Sequence, residues 1–485
     1  MGQSGEHPIE VVLESKDFSC DDLQIAEVTG VEAISRLFRF EISVTCRDPA
    51  GLDPRQVVGA NATLVFVDEQ VELRRVHGMV CEMTDMLDSE TQFYTYRLVL
   101  VPRAHRATLV EKQEIFIDMS VPEVISKTLR LLGFSDDDVE MRLAGEYAKR
   151  EFVVQYKETD LAFVSRLAEH LGISFFFEHN EGRDRLIFTD HKNGFRPIEG
   201  HERLGFRSRG EHRGIYRLDA TTRMIPATYV VSDYDYEKPL VDLASTFEIE
   251  GGFGGVVEYG THFKEAKEGA ALARVRAEER LVSAYSSRGQ SSACVLFAGG
   301  RFTLEDHPRG DNLDLLVFEV NHQLHQAALG GGKASAAGYT NTFQCIQGQM
   351  MFRPARTTPK QSIRGVTCGV VEAAPGVETH LPYIDNHGRY LVRVLFDTAQ
   401  PGERKASLPI RMAQAHSGPG YGIHFPLRPG IEVLLAFIDG DPDRPLIIGS
   451  VPNAITPTPV NESERSMHRI RTYSGVLVEI DDESA

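Results

Sequence analysis

Three aspartates alternate with turn-forming residues in the stretch FIDGDPDRPLIIGS. The spacing of Asp439, Asp441 and Asp443 is that of the first ligands in an EF-hand calcium loop. Such a loop needs glycine at its sixth position and a bidentate glutamate at its twelfth, where this chain has Arg444 and Ser450. The stretch therefore lacks two residues on which calcium binding depends.

The same stretch suits a turn between two strands. EVLLAFI (432–438) and PLIIGSV (445–451) have the apolar, β-branched composition of strands. Between them stand Asp-Gly and Asp-Pro dipeptides, which favour turns because glycine accepts positive φ and proline fixes φ. We therefore predict a structural turn with no metal, no cofactor and no catalytic role, formed by Asp439, Gly440, Asp441, Pro442, Asp443 and Arg444.

Other candidate chemical motifs are incomplete. ALGGGKAS (328–335) lacks the first glycine and the final Ser or Thr of a phosphate-binding loop. His322 and His325 are three residues apart on a predicted strand, so they should point to opposite faces. The chain contains neither H-E-x-x-H nor G-x-S-x-G. Four further candidates flank a predicted hairpin but lack a third fixed element: Glu178, His179, Asp190 and His191. We therefore expect no enzyme.

Composition excludes several classes of protein. The 485-residue chain carries 52 − 70 = −18 formal charges, so it lacks the basic surface of a nucleic-acid binder and would be repelled by anionic membranes. Its six cysteines form no C-x-x-C pair. The N-terminus does not read as a secretory signal, and no run reaches the ~18 apolar residues of a membrane span. We expect a soluble, cytosolic chain without stable membrane insertion.

Strand patterns dominate, and three helices are predicted, at 120–133, 160–171 and 264–285. In the second helix, Leu161, Val164, Ala168 and Leu171 form the predicted core stripe, with Leu167 beside it. The expected segments are a β region at 1–105, an α+β region at 106–200, a second β region at 201–355, a linker at 356–365, an OB-type barrel at 366–452, a Pro-rich linker at 453–467 and a terminal strand at 468–485.

Several segments together resemble the VgrG family, the spike proteins of type VI secretion systems. REFVVQYKETDLAFVSRLAEHLGISFFFEH is similar to the family's signature helix–strand segment. LFRFEISV, RVHGMV and GRFTLEDHP resemble its N-terminal region in the same order. DNHGRYLVRVLFD and AHSGPGYGIHFPLRPGIEVLLAFIDGDPDRPLIIGSVPN resemble its OB domain, so the resemblance covers nearly the whole chain.

The resemblance implies a mainly β fold with α+β insertions, similar to phage tail hub and spike proteins. Residues 1–105 and 201–355 would be the first and second hub β-subdomains of barrel-like form, with 106–200 as the α+β hub segment between them. The OB barrel would follow, and 468–485 would begin a trimeric β-prism needle. The residues expected in that needle are Ser474, Gly475, Val476, Val478 and Ile480. A lone apolar strand cannot satisfy its own backbone, which agrees with assembly around an axis.

The implied function is that of a homotrimeric spike hub in a contractile injection machine. Its implied partners are an Hcp-like inner-tube ring protein, a PAAR-type tip protein, baseplate components and possible effectors. Assembly would occur in the cytoplasm, followed by translocation without a signal peptide.

Three alternatives remain open. The short needle leaves room for the spike of a phage tail or of an extracellular contractile particle. An envelope-polymer hydrolase with a carboxylate site is possible because the acidic chain offers many carboxylate pairs. A carbohydrate-binding OB face is disfavoured, since Tyr383, Tyr390 and Tyr421 are few and scattered.

Overall fold

The computed structural model describes residues 8–87, 93–209, 212–310, 312–327, 338–373, 381–397 and 409–483. The glycine-rich stretch 328–335 lies outside them. Within them the chain is mainly β, as predicted. The strands, numbered along the chain, are β1 (Glu10–Ser15), β2 (Leu23–Ala33), β3 (Arg39–Cys46), β4 (Asn61–Asp68), β5 (Val71–Met86), β6 (Tyr94–Val101), β7 (Glu111–Met119), β8 (Val139–Arg142), β9 (Arg150–Thr159), β10 (Ser174–Asn180), β11 (Arg183–Thr189), β12 (Arg203–Gly205), β13 (Ile215–Ala220), β14 (Thr228–Asp233), β15 (Leu243–Glu248), β16 (Gly255–Tyr259), β17 (Ser287–Ser291), β18 (Arg301–Glu305), β19 (Leu313–His325), β20 (Gly338–Gln347), β21 (Thr367–Val371), β22 (Tyr390–Val394), β23 (Pro409–Ile410), β24 (Ser417–Gly418), β25 (Tyr421–Gly422), β26 (Glu432–Phe437), β27 (Pro445–Ser450), β28 (Met467–Arg471) and β29 (Leu477–Asp481).

The α-helices of the described residues are α1 (Pro54–Val57), α2 (Val121–Leu131), α3 (Asp160–Leu171) and α4 (Ala266–Ala284). The three longer ones confirm the predicted helices. At the start of α2, the Glu123 carboxylate accepts from the Ser120 backbone N–H at 2.7 Å, one half of the predicted capping box. Gly133 and Gly172 follow α2 and α3 with positive φ, which glycine adopts without strain. No helix in the described ranges is long and apolar enough to cross a membrane.

The chain divides into two compact units, each described separately below. The large unit comprises Met1–Val110, Ile125–Tyr147 and Asp160–Pro359, and the small unit comprises Glu111–Val124, Ala148–Thr159 and Lys360–Ala485.

The first six strands of the large unit form a curled antiparallel ring, in which β1 and β2 do not pair directly within the described residues. Their spatial order is β1-β4-β5-β6-β3-β2, and alternating apolar residues such as Phe40, Ile42 and Val44 are buried. Gln326 closes the ring between β1 and β2. Its side-chain nitrogen donates to the Val11 carbonyl at 3.2 Å and to the Ile25 carbonyl at 3.1 Å, while its side-chain oxygen accepts from the Val11 N–H at 2.5 Å.

A second ring follows in the same sheet. Strands β19, β20, β17 and β13 are neighbours in that order, and β18 pairs with both β19 and β12. A parallel bridge between Phe206 and Ile215 brings the end of β12 to β13 and completes the ring. The two rings share one seam, where β19 pairs antiparallel with β2 from Glu319↔Ala33 to His325↔Glu27.

Helix α3 is buried over a wider arc than its apolar stripe predicts. Phe163, Val164, Leu167 and Ala168 are buried in the large unit, whereas the predicted core residues Leu161 and Leu171 are only half-buried. Polar residues complete the buried arc because they find partners. Glu169, for example, accepts from the Thr358 hydroxyl at 2.7 Å and from its backbone N–H at 2.9 Å.

Two smaller sheets complete the large unit. Strand β11 lies between β10 and β8. The other sheet has the order β15-β14-β16, and its inner face packs on α4 through Val231, Leu243, Leu272 and Ala273. The remaining face of that sheet carries exposed side chains, including Val257 and Tyr259.

The small unit is built on a five-stranded antiparallel sheet of order β23-β22-β21-β26-β27. Its core includes Tyr390, Val392, Val433, Leu435 and Ile447. Strands β7 and β9 pair with each other, and their residues Ile115 and Tyr156 pack against this core. The sheet is thus supported by two segments that precede it by more than 200 residues in sequence.

Candidate functional site

The predicted aspartate turn connects β26 and β27, which pair antiparallel as the sequence predicted. Asp439 is exposed and has φ 55°, and Gly440 has φ 74°, so two successive residues occupy the left-handed region. A Cβ at Gly440 would lie 2.2 Å from the Ser362 hydroxyl oxygen, and the Gly440 carbonyl accepts from the Ile363 N–H at 2.8 Å. Only glycine fits here without displacing its neighbour.

Asp441 and Asp443 share one cation. The Lys360 ammonium nitrogen lies 2.5 Å from Asp441 Oδ1 and 2.7 Å from Asp443 Oδ2. The Asp443 side chain is only 2% exposed, and its Oδ1 also accepts from the Val154 backbone N–H of β9 at 2.7 Å. Asp441 Oδ1 accepts from the Asp443 N–H at 2.9 Å, a local bond that fixes the turn.

The turn thus ties three parts of the small unit together, namely the β26–β27 hairpin, β9 and residues 360–363. Pro442 is buried, and the Arg444 backbone closes the turn by donating to the Asp441 carbonyl and accepting from the Ile438 N–H. That the role of this turn is structural stays a prediction. Sequence reasoning missed Lys360 and Val154 because no local pattern links them to residues 83 and 289 positions away.

The residues predicted for the needle lie in a C-terminal hairpin. Strand β29 is not a lone strand, because it pairs antiparallel with β28 from Met467↔Asp481 to Arg471↔Leu477. Ser474 and Gly475 form the turn, which the Thr472 N–H closes by donating to the Val476 carbonyl at 2.9 Å.

One face of this hairpin is apolar and open to solvent. Strand alternation places Val476, Val478 and Ile480 on the same side, and Ile470 stands directly opposite Val478. Their exposed fractions are 63%, 54%, 62% and 51% in that order. The opposite side carries the Arg469–Glu479 ion pair, whose Nε–Oε1 distance is 2.5 Å. The hairpin therefore has one charged face and one apolar face, and the four side chains of the apolar face are exposed. We call these four residues the apolar hairpin face.

The other sequence candidates lie in separate hydrogen-bond networks of the large unit. Glu178 accepts from both terminal nitrogens of Arg142, at 2.6 and 2.7 Å. Asp190 accepts from the backbone N–H groups of Ala144 and Gly145 and from the Tyr147 hydroxyl at 2.8 Å. These carboxylates hold the fold together, and the structure does not bring them into one pocket with His179.

His322 is buried, and His179 is half-buried, beside a third network. The carboxylate of Glu32 lies 2.5 Å from an Arg74 nitrogen and 2.8 Å from His322 Nε2. Burial alone would raise the pKa of Glu32, but the charge of Arg74 and the hydrogen bond with His322 outweigh it and lower this pKa to about 2. Burial lowers the pKa of His179 to about 3, so this ring stays neutral. As predicted, His322 and His325 take different faces: the first is buried and the second half-exposed.

Two family models match the chain. One, described as "Phage tail baseplate hub (GPD)", matches residues 31–328, which is more than half of the chain. The other, described as "Type VI secretion system/phage-baseplate injector OB domain", matches residues 382–451. The second match covers four of the five sheet strands of the small unit together with the aspartate turn.

Two relatives from Pseudomonas aeruginosa match most of the chain. The type VI secretion system spike protein VgrG4b is 32% identical over 469 residues, covering 90% of this chain and 55% of the relative. The spike protein VgrG1a is 30% identical over 452 residues, covering 90% of this chain and 68% of the relative. The chain thus spans about half the length of VgrG4b.

A solved structure shares the fold. The E. coli c3393 protein, described as a type VI secretion component similar to the phage T4 tail proteins gp27 and gp5, aligns with a TM-score of 0.66 at 24% identity. The alignment covers 90% of this chain and 99% of that one. With the family models and relatives above, it leads to one conclusion: the chain belongs to the VgrG spike family of type VI secretion systems, which is related to phage tail baseplate hubs.

Proposed function

We propose that this chain is the homotrimeric hub and spike at the tip of a contractile injection machine. In this proposal the hub caps an inner tube of Hcp-like rings, contacts baseplate components and carries a PAAR-type tip protein and effectors towards a target cell. The trimer assembles in the cytoplasm and leaves with the machine. The seven sequence segments given above, from the first hub subdomain to the needle, remain the proposed division of the chain.

The apolar hairpin face is the observation that carries this proposal. Four aliphatic side chains, each more than half exposed, stand together on a two-stranded element, and an isolated hairpin is at best marginally stable in water. Three copies meeting around an axis would cover these side chains and form the first turn of a β-prism. We infer that Val476, Val478 and Ile480 point towards that axis.

The proposed role is mechanical and not enzymatic. The carboxylates that the sequence offered as catalytic candidates are engaged by arginine, tyrosine or backbone N–H groups, which supports a structural role for them. The spike of a phage tail or of an extracellular particle would use the same geometry. Neighbouring genes distinguish the two, since a membrane complex and an ATPase indicate secretion and a tape-measure protein indicates a particle.

Native mass measurement tests the trimer. We expect a species of 3 × 54.0 = 162 kDa at micromolar protein. Each subunit carries −18, so the trimer carries 3 × −18 = −54 charges. Repulsion between these charges is screened beyond ~8 Å at physiological ionic strength, and this distance grows as salt falls, so the trimer should weaken at low salt. A monomer at every salt concentration would refute the proposal.

Matched variants test the hairpin. Val478→Lys places a charge on the apolar hairpin face, whereas Leu477→Lys places it on the opposite face of the same strand. We expect the first to increase proteolysis of residues 467–481 in the trimer and the second to leave it unchanged. Ending the chain at Pro459 should preserve the trimer, because obligate interfaces bury over ~2,000 Å² and the hub would supply most of that area. Equal proteolysis of the two lysine variants would remove the hairpin from the assembly argument.

A further inference from the structure

A cleft in the large unit gathers three arginines around one buried tyrosine. It lies against the β14–β16 sheet and helix α4, and the space among its lining residues, open solvent included, is about 250 Å³. Its polar lining residues are Tyr229, Glu258, Arg276, Arg280 and Arg356, which we call the arginine cleft. None of them belongs to the aspartate turn or to the C-terminal hairpin.

Two of the arginines share one carboxylate. Arg276 is 3% exposed, and its Nε donates to Glu258 at 2.8 Å. Arg356 donates to the same Glu258 oxygen at 2.8 Å and to Glu279 at 3.0 Å. The three arginines and Glu258 of the cleft, counted together with Glu279 that pairs with Arg356, carry 3 − 2 = +1 charge, in a chain whose net charge is −18.

The third arginine and the tyrosine lack partners among the described residues. Arg280 follows Arg276 by one helical turn, where like charges repel, and its guanidinium makes no ion pair within the described ranges. Tyr229 is 2% exposed, and its hydroxyl has no hydrogen-bond partner among the same residues. A buried hydroxyl without a partner is destabilising, so the cleft presents an unused donor beside an uncompensated positive charge.

We propose that the arginine cleft is an anion-binding site for a single carboxylate group. The guanidinium of Arg280 would donate to both carboxylate oxygens, and the Tyr229 hydroxyl would donate to one of them. Glu258 stays in place and holds Arg276 and Arg356 at the rear of the cleft. This site is independent of the proposed spike function, and either can fail without the other.

Charge and shape favour a carboxylate over a phosphate. The single positive charge of the cleft matches a monoanion, whereas a phosphate group brings up to two negative charges beside Glu258 and Glu279. The planar fork of arginine fits the two oxygens of a carboxylate. The carboxylate can come from a free acid or from a Glu or Asp side chain of a bound protein segment.

Relaxation of ¹³C-labelled acetate in the presence of the full-length protein tests the site. We expect saturable line broadening that Arg280→Gln weakens about tenfold or more and Tyr229→Phe weakens about threefold to tenfold, as loss of a charged or neutral hydrogen bond predicts. Arg274→Gln is the matched control, because Arg274 lies on the same helix and already pairs with Glu278 at 2.8 Å. It should bind acetate as the unchanged protein does.

Competition identifies the ligand. An acetylated, amidated peptide with one glutamate that displaces acetate at lower concentration would assign the site to a protein segment. Displacement at the same or higher concentration would assign it to free acids, and both results support a carboxylate site. Broadening that is unchanged in Arg280→Gln, or displacement by chloride or inorganic phosphate at lower concentration than by acetate, would overturn the proposal.

Discussion

A cluster of charged and polar side chains lies in the interior of the large unit. Glu32 sits between Arg74 and His322, and His322 Nδ1 lies 2.6 Å from the Tyr339 hydroxyl. His179 accepts from the His77 backbone N–H at 3.1 Å, and its ring lies edge-on to Phe38 at 5.3 Å. Because a buried charge is tolerated only when it is paired, this cluster makes the stability of the hub depend on pH.

Acid should destabilise the large unit. His179 has a folded pKa of about 3 against 6.5 when free, so the unfolded chain binds more protons between these values and stability falls as pH drops through this window. Below pH 4.5, protonation of Glu32 acts in the same direction, down to its folded pKa of about 2. Between pH 7 and pH 5, His179 should cost about 2 kcal/mol of unfolding free energy.

Denaturant titrations at the two pH values measure this loss. His179→Gln keeps an acceptor for the His77 N–H but cannot gain a proton, so it should show a smaller loss than the unchanged protein. His212→Gln removes an exposed histidine of the same unit and should leave the loss as it was. Identical pH dependence in all three proteins would contradict the assignment.

The aspartate turn should contribute to stability through Asp443. Asp443→Ala removes the acceptor of the Val154 N–H and one of the two carboxylates beside the Lys360 ammonium, which should cost about 1–3 kcal/mol of unfolding free energy in the small unit. Asp439→Asn keeps a residue type that tolerates positive φ at an exposed position and should change it by less than about 0.5 kcal/mol. Thermal unfolding of both variants makes the comparison. An equal change in unfolding free energy for both variants would show that the bonds from Asp443 to Val154 and Lys360 do not stabilise the small unit.

Helix α3 shows how much an element depends on its surroundings. The sequence predicted its bounds and amphipathic character but placed Leu161 and Leu171 in the core, where the structure has Phe163 and Leu167. The prediction of a core stripe counted apolar residues only. On α3 polar residues are buried as well, and Glu169 is one of them because Thr358 donates two hydrogen bonds to its carboxylate.

Burial on α3 gives a direct mutational test. Leu167→Asp places a charge in a fully buried position and should prevent the large unit from folding, with little full-length protein in the soluble fraction. Leu171→Asp places the same charge at a half-buried position near the end of the helix and should leave folded protein of lower melting temperature. Soluble yield and circular dichroism measure both. A folded Leu167→Asp protein would show that this face of α3 tolerates a charge.

At the scale of the whole molecule, local patterns predict the elements and their pairing with near neighbours, but not how elements distant in sequence pair. Strand composition and turn dipeptides were enough for the β26–β27 hairpin, and capping residues were enough for α2. The seam between β2 and β19 joins residues nearly 300 positions apart, and β7 and β9 pack on the core of a sheet that begins at Thr367. Such contacts follow from how whole surfaces fit, which no short stretch encodes.

The side chain of Gln326 sets an order of events during synthesis. The first ring needs this amide to join β1 to β2, and its seam strand β19 ends only at His325. A ribosome must therefore translate more than 320 residues before strands β1 and β2 can be joined by these hydrogen bonds. Until then β1 and β2 present open edges to other nascent chains, a state that favours capture by chaperones.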